Sequence, residues 1–194
     1  MTGVPSMQKS LIALCLSALT AFSLPALADA DHPHVRLHTS QGDIEVELDA
    51  QAAPKTVDNF LSYVDEGFYA GTVFHRVMQD FMIQGGGMTA DLEPKETHAP
   101  IALEKSGLDN TRGTIAMART ANPDSATSQF FINLVDNSAL NYRDLYNPGY
   151  TVFGHVVSGM DVVDEIAGVA TGRQGPHANV PKTPITIESA ERID

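Results

Sequence analysis

Tryptophan is absent from this 194-residue chain, and cysteine occurs once, at Cys15, inside a segment expected to be removed. Residues 29–194 therefore contain no thiol, which excludes disulfides, thiolate nucleophiles and cysteine-ligated metal centres. Basic residues are scarce: 12 Lys and Arg stand against 24 Asp and Glu, giving a net charge of −12. A chain this acidic is a poor partner for nucleic acid or for an anionic lipid surface. The apolar run at 11–24 falls short of the ~20 residues a spanning helix requires. No internal repeat and no low-complexity linker is present, so a single domain is expected. Gly85-Gly86-Gly87 is not followed by Lys-Ser/Thr, so it lacks the phosphate-cradling signature, and close backbone approach or a bulge is the better reading. His98, His155 and His177 have no ligand spacing. His32 and His34, flanking Pro33 near the start of the expected domain, read as part of a disordered terminus.

What is present at the beginning is a leader pattern. Lys9 is the only charge in 1–24, the apolar run follows, and Pro25 precedes Ala26-Leu27-Ala28. A positive n-region, a short apolar h-region and an A-x-A site read as a secretory signal peptide. Cleavage is expected after Ala28, with Ala30 as the alternative because Ala28-Asp29-Ala30 also fits. Cys15 follows Leu14, where a lipid-attachment signal requires a small residue. The domain organisation is thus a leader at 1–28 and one folded domain at 29–194, delivered to the periplasm.

The remainder alternates like short strands. Residues 35–38 and 44–48 show period-2 patterning around Ser40-Gln41-Gly42-Asp43, a hairpin signal. Pro54 opens a helix, with Val57, Phe60, Leu61 and Val64 on one face and Gly67 at its end. Strands are expected at 72–77, 81–84, 113–118, 129–134, 151–157 and 183–190, with a second short helix at 159–167. Residues 88–109, 119–128 and 135–149 read as polar loops. Many short strands, two helices and no strand–helix–strand alternation point to an antiparallel sheet closed, or nearly closed, on itself.

Three segments resemble the cyclophilin family of peptidyl-prolyl cis-trans isomerases. They are Phe74-His75-Arg76-Val77 running on to Phe81-Met82-Ile83-Gln84-Gly85-Gly86; Gly113-Thr114-Ile115-Ala116-Met117-Ala118-Arg119 leading to Ser128-Gln129-Phe130-Phe131-Ile132; and Val152-Phe153-Gly154 with Gly159-Met160-Asp161-Val162-Val163. Their order and spacing also match, the resemblance covers essentially all of 29–194, and the compact loops are closest to the bacterial secreted branch. It implies an all-β dominated fold: an eight-stranded antiparallel β-barrel capped by two α-helices, with a packed interior and a groove on its outer surface. Carried over residue by residue, the groove comprises Arg76 and Gln84 as the catalytic pair, and Phe81, Met82, Ala118, Arg119, Gln129, Phe131, Leu140 and Tyr150 as substrate-binding residues. The implied partners are proline-containing unfolded or partly folded polypeptides, with no cofactor or metal, and with a monomer as the default state.

The chemistry suits these residue types. Rotation about an amide breaks no covalent bond, and a donor aimed at the proline nitrogen helps only once the amide twists and that nitrogen regains a lone pair. Arg is always charged and acts as a fixed donor. Strand parity places Met82 with Gln84, and Gln129 with Phe131, on shared faces, and turns Ile83, Phe130 and Ile132 inward. Arg76 and Arg119 form a local positive pair expected to favour acidic residues beside the proline. Two positions depart from the family pattern. Ala139 stands where many relatives have an aromatic, often Trp, which predicts an open rim and weak cyclosporin binding, and Tyr150 replaces a His of eukaryotic members. The alternatives are a module that holds proline segments without turnover and a lipocalin-like barrel with a ligand in its lumen; bulky Phe and Ile at interior positions speak against the second.

Overall fold

The computed structural model describes residues 1–3 and 32–193; beyond its first three residues, the expected leader lies outside the described residues. The first hairpin forms as its alternation requires. β1 (His34–Thr39) pairs antiparallel with β2 (Gly42–Leu48), and Val35, Leu37, Ile44, Val46 and Leu48 all turn inward. His34 is thus the first residue of a strand and its ring lies 3.3 Å from Glu47, which corrects the expectation of a disordered terminus there.

The helix α1 (Pro54–Asp65) follows, with Pro at its first turn. Its N-cap residue Ala53 has no side chain to offer. The carboxylate of Glu104, from the loop at 88–109, takes over that role. It accepts the backbone N–H of Lys55 at 3.1 Å, and both the N–H and the hydroxyl of Thr56 at 2.6 Å. An anion at a helix N-terminus is favoured by the free N–H groups there and by the helix dipole. The helix ends as Gly67 predicts: Gly67 adopts φ +66°, its N–H bonds to Val64 O, and that of Phe68 bonds to Tyr63 O. This is the paired-bond C-cap, and the rings of Tyr63 and Phe68 close over it at 4.7 Å.

Seven more strands follow, six in the main sheet and the last in a satellite hairpin: β3 (Thr72–Val73), β4 (Arg76–Met78), β5 (Met82–Gly85), β6 (Thr114–Met117), β7 (Phe130–Asn133), β8 (Val152–Ser158) and β9 (Thr171–Gln174). The second helix α2 (Met160–Ala167) lies between β8 and β9, and β10 (His177–Pro181) and β11 (Thr186–Ile193) end the chain. The main sheet runs β3-β11-β1-β2-β8-β6-β7-β5-β4, and every pairing is antiparallel. Its two edge strands, β3 and β4, are separated in the chain only by Phe74 and His75. One stretch of chain therefore pairs with β11 at one end and β5 at the other, and the sheet closes through it. Counted as one strand, β3 and β4 give the eight-stranded barrel that was expected, which leaves no long open edge.

The interior is solid. Phe60, Tyr69, Phe74, Phe130 and Phe153 are all 1 % exposed or less. Phe60 meets Tyr69, Phe130 and Phe153 at ring-centroid distances of 5.2 to 5.6 Å, in tilted and edge-on arrangements that aromatic quadrupoles favour. Both helices contribute, α1 through Val57, Phe60, Leu61 and Val64, and α2 through Val163 and Ile166. A lumen wide enough for a ligand is therefore filled by side chains. The β9–β10 hairpin lies outside the expected elements, in a stretch whose apolar residues are too few to signal it.

Candidate active site

Cross-strand pairing builds a row of residues on the outer face of the barrel. Arg76 on β4 stands opposite Gln84 on β5; Gln84 is opposite Phe131 on β7; Phe131 is opposite Ala116 on β6; Ala116 is opposite Val152 on β8. Directly opposed residues point to the same face. Moving one residue along each strand gives the inner row Val77, Ile83, Ile132 and Ile115, in the same register. The expected parity thus holds on two strands: on β5 Met82 and Gln84 point outward with Ile83 inward, and on β7 Phe131 points outward with Phe130 and Ile132 inward.

Around the outer row lies a second apolar cluster, separate from the interior core. It consists of Met82, Ala116, Ala118, Phe131 and Val152, with Met78, Phe81, Leu140 and Tyr150 packed against it and partly exposed. The cluster opens into a cavity of about 280 Å³ lined by Arg76, Phe81, Met82, Gln84, Ala118, Arg119, Phe131, Leu140 and Tyr150. Nine of the ten residues singled out in the sequence meet in this one depression. The tenth, Gln129, is joined to it through Gln84: Arg76 Nη1 donates to Gln84 Oε1 at 3.3 Å, and Gln84 Nε2 donates to Gln129 Oε1 at 3.0 Å. A cation is thereby held at the edge of an apolar bowl by a chain of two amides.

The far wall comes from the loop between β7 and β8. Ser138–Leu140 forms a 3-10 turn, and Tyr150 N–H donates to Leu140 O at 2.9 Å, so the nine-residue excursion between them closes at its neck. The ring of Tyr150 meets Phe131 edge-on at 5.5 Å. Arg119 crosses from the other side. Its Nε and Nη2 donate to Gly149 O at 2.9 and 2.6 Å, its Nη1 to Thr120 O at 2.8 Å, and its guanidinium lies 4.6 Å from the Tyr150 ring centre. Arg119 thus ties its own loop to the β7–β8 loop as a brace, while still lining the cavity together with Arg76. Ala118 donates its N–H to Gln129 O at 2.9 Å, so a peptide lying along that edge can use only its carbonyl side. Ala139 is exposed on the 3-10 turn and does not line the cavity.

Behind this wall is a set of asparagines that the sequence reading passed over. Asn110 and Asn133 are 1 % exposed or less. Asn110 Nδ2 donates to Leu140 O at 3.1 Å and Tyr150 O at 3.4 Å. Asn133 Nδ2 donates to Asn110 Oδ1 at 3.1 Å, and Asn137 Nδ2 to Asn133 Oδ1 at 2.8 Å and Phe81 O at 2.9 Å. Three cavity residues, Leu140, Tyr150 and Phe81, are thus held by their carbonyls from one buried amide network. Such a network rigidifies only when its members are satisfied, as these are. The only sequence signal was one Asn between a predicted loop and strand, one near a predicted strand end and one in a predicted loop, which has many simpler explanations.

Similarity to known proteins agrees with this geometry. Residues 34–192 match the family described as cyclophilin type peptidyl-prolyl cis-trans isomerase. The chain belongs to that family. It is 52 % identical over 192 residues to peptidyl-prolyl cis-trans isomerase A of Dickeya dadantii, covering 96 % of this chain and 99 % of the relative. It is 56 % identical over 158 residues to peptidyl-prolyl cis-trans isomerase B of Escherichia coli, covering 80 % of this chain and 96 % of that one. Among solved structures it superposes on a Cryptosporidium parvum cyclophilin type peptidyl-prolyl cis-trans isomerase, described in the presence of the dipeptide Ala-Pro. That match has a TM-score of 0.69 at 26 % identity over 83 % of this chain and 99 % of the other. As a cyclophilin, the chain is a peptidyl-prolyl cis-trans isomerase acting on proline-containing polypeptides.

Proposed function

We propose that the 280 Å³ depression is the catalytic groove, that Arg76 is its electrostatic donor, and that the enzyme serves exported proteins as a monomer after loss of residues 1–28. Amide rotation faces a barrier of about 18–20 kcal/mol because resonance gives the C–N bond double-bond character. X-Pro bonds are the natural substrate, since only there is the cis form appreciably populated. Phe81, Met82, Phe131, Leu140 and Tyr150 receive the proline ring in an apolar cup. Gln84 holds the carbonyl of the preceding residue, which anchors one side of the bond while the other turns. As the amide twists, the proline nitrogen becomes pyramidal and gains a lone pair, and the guanidinium of Arg76 donates to it. The planar ground state offers no such acceptor, so the interaction is stronger in the transition state, as catalysis requires. A thousandfold acceleration corresponds to about 4 kcal/mol of differential stabilisation.

The observation that carries this reading is the register that sets Arg76 directly opposite Gln84, with their side chains bonded, at the edge of the apolar cup. Export is supported by the leader pattern at 1–28. The test is the cis-to-trans rate of an Ala-Pro peptide in the presence of residues 29–194, with the N-terminus of the chain recovered from the cell envelope sequenced in parallel. Strong acceleration and a terminus at Asp29 or Asp31 are expected. A folded domain that binds the peptide without accelerating it would make the groove a proline-segment binding module, and an intact Met1 would remove the export reading.

A further inference from the structure

Gly87 follows β5 and is buried, and its φ lies outside the left-handed region. Backbone conformation therefore does not call for glycine here; clearance does. A Cβ at this position would lie 2.3 Å from Cγ of Gln129, 2.7 Å from its Nε2 and 2.8 Å from its Cδ. The side chain of Gln129 passes directly over the Gly87 backbone, with no room for a methyl group between them.

Neither main chain is free to yield. Gly87 O accepts the N–H of Lys95 at 3.0 Å, and the next residue, Met88, accepts the N–H of Val73 at 2.9 Å. On the other side, Gln129 O accepts the N–H of Ala118 at 2.9 Å, and Ser128 O accepts the buried hydroxyl of Tyr69 at 2.9 Å. A side chain at 87 has one accommodation available: rotation of Gln129 about its own torsions. That rotation moves Oε1 away from Gln84 Nε2, now 3.0 Å distant, and Gln84 in turn orients the Oε1 that accepts from Arg76 at 3.3 Å.

We infer that Gly87 is a positioning residue for isomerisation: its missing Cβ lets Gln129 lie flat, which fixes the amide of Gln84 and through it the aim of Arg76. The inference rests on the role of Arg76 proposed above. Gly87 does not line the groove, so its effect reaches the reaction only through Gln129.

Gly87→Ala, Gln129→Ala and the double variant test it, with turnover and KM measured on an Ala-Pro peptide by exchange NMR. Gly87→Ala is expected to lower kcat about tenfold, the scale on which small misplacements of a catalytic group act, with KM within about twofold and the melting temperature nearly unchanged. In the Gln129→Ala background the same substitution has no Gln129 side chain to displace, and no further loss is expected. In the peptide-free enzyme, the side-chain amide resonances of Gln84 should shift in Gly87→Ala as they do in Gln129→Ala. Full kcat with unmoved Gln84 resonances would overturn the inference. So would an equal further loss in the Gln129→Ala background, which would place the effect in the backbone. If the wild type itself fails to accelerate isomerisation, the functional reading fails; the Gln84 resonances still report whether Gly87 controls the relay.

Discussion

Strands β5, β6 and β7 carry two apolar surfaces, one on each face. Inward, Ile83, Ile115, Phe130 and Ile132 are fully buried among Phe60, Tyr69, Phe74 and Phe153. Outward, Met82, Ala116, Ala118 and Phe131 form a smaller cluster whose partly exposed members edge the groove. The two faces share composition and hydrogen bonds but differ in what covers them. The inner face is sealed by two helices and the rest of the barrel. The outer face is sealed only at its margins, by Leu140, Tyr150 and the Arg119 brace, and is left for a proline ring to complete. An apolar face of a sheet is therefore not a core by default, and the polar residues interleaved with it, Arg76 and Gln84, mark the side that meets a substrate.

Adjacent phenylalanines on β7 offer the sharpest contrast. Phe130→Ala would open a hole in a sealed interior, where Phe130 meets Phe60 and Tyr69 at 5.6 Å and Phe74 at 6.2 Å. Transfer and cavity contributions together put the loss at about 3–5 kcal/mol. Phe131→Ala widens a depression already open to solvent, so little beyond the transfer contribution is lost, about 1.5–3 kcal/mol. Urea denaturation of both variants checks the ranking, and peptide turnover by the folded fractions checks the roles. Phe131→Ala should lose most of its affinity for an Ala-Pro peptide, whereas folded Phe130→Ala should retain most of it. Equal stability losses, or equal activity losses, would erase the distinction between the faces.

A smaller effect is expected at the seam between them. His75 lies between Phe74, in the core, and Arg76, in the groove. It is 6 % exposed, and burial pushes its imidazole down to about 4. Between pH 6.5 and about 4 the unfolded chain binds a proton that the folded one refuses, so stability is complete above pH 6.5 and falls as the pH drops through that window. The loss is roughly 3 kcal/mol by pH 4. His38 acts in the opposite direction. Asp43 and Glu191 hold its pKa raised, so its contribution is present at low pH and is lost as the pH rises above the usual histidine range. Thermal melts of wild type and His75→Gln between pH 7.5 and 4.5 separate the two, because only the His75 contribution disappears in the variant. Parallel pH curves would show that His75 takes up its proton without unfolding.

Much of this was legible in the chain itself. Alternation in 35–48, the apolar stripe of α1 and the Gly67 stop arise from local geometry and needed no tertiary information. The parity of Met82, Gln84 and Phe131 followed for the same reason, since side-chain direction along a strand is fixed by the pleat. The pattern of short strands pointed to a sheet closed or nearly closed on itself and the family resemblance gave its eight strands, but where it closes was hidden, because the break at Phe74 and His75 makes one run of sequence serve as both edges. Long-range side-chain roles were hidden. Glu104 caps a helix that starts 50 residues earlier in the chain. Arg119 turns inward to Gly149, and three asparagines from separate segments meet behind Tyr150. Each depends on a partner supplied by the fold, so residue type alone carries no trace of it.

The central claim is that the outer face catalyses through a donor that matters only when the amide is twisted. The most direct measurement is exchange NMR on an Ala-Pro peptide titrated with Arg76→Ala, reading binding and isomerisation in the same sample. The account predicts binding within a few-fold of wild type, with the bound-state exchange rate reduced by about 10²–10³. Wild-type exchange rates in Arg76→Ala, with binding intact, would contradict it and shift the catalytic effect from the guanidinium to the apolar cup.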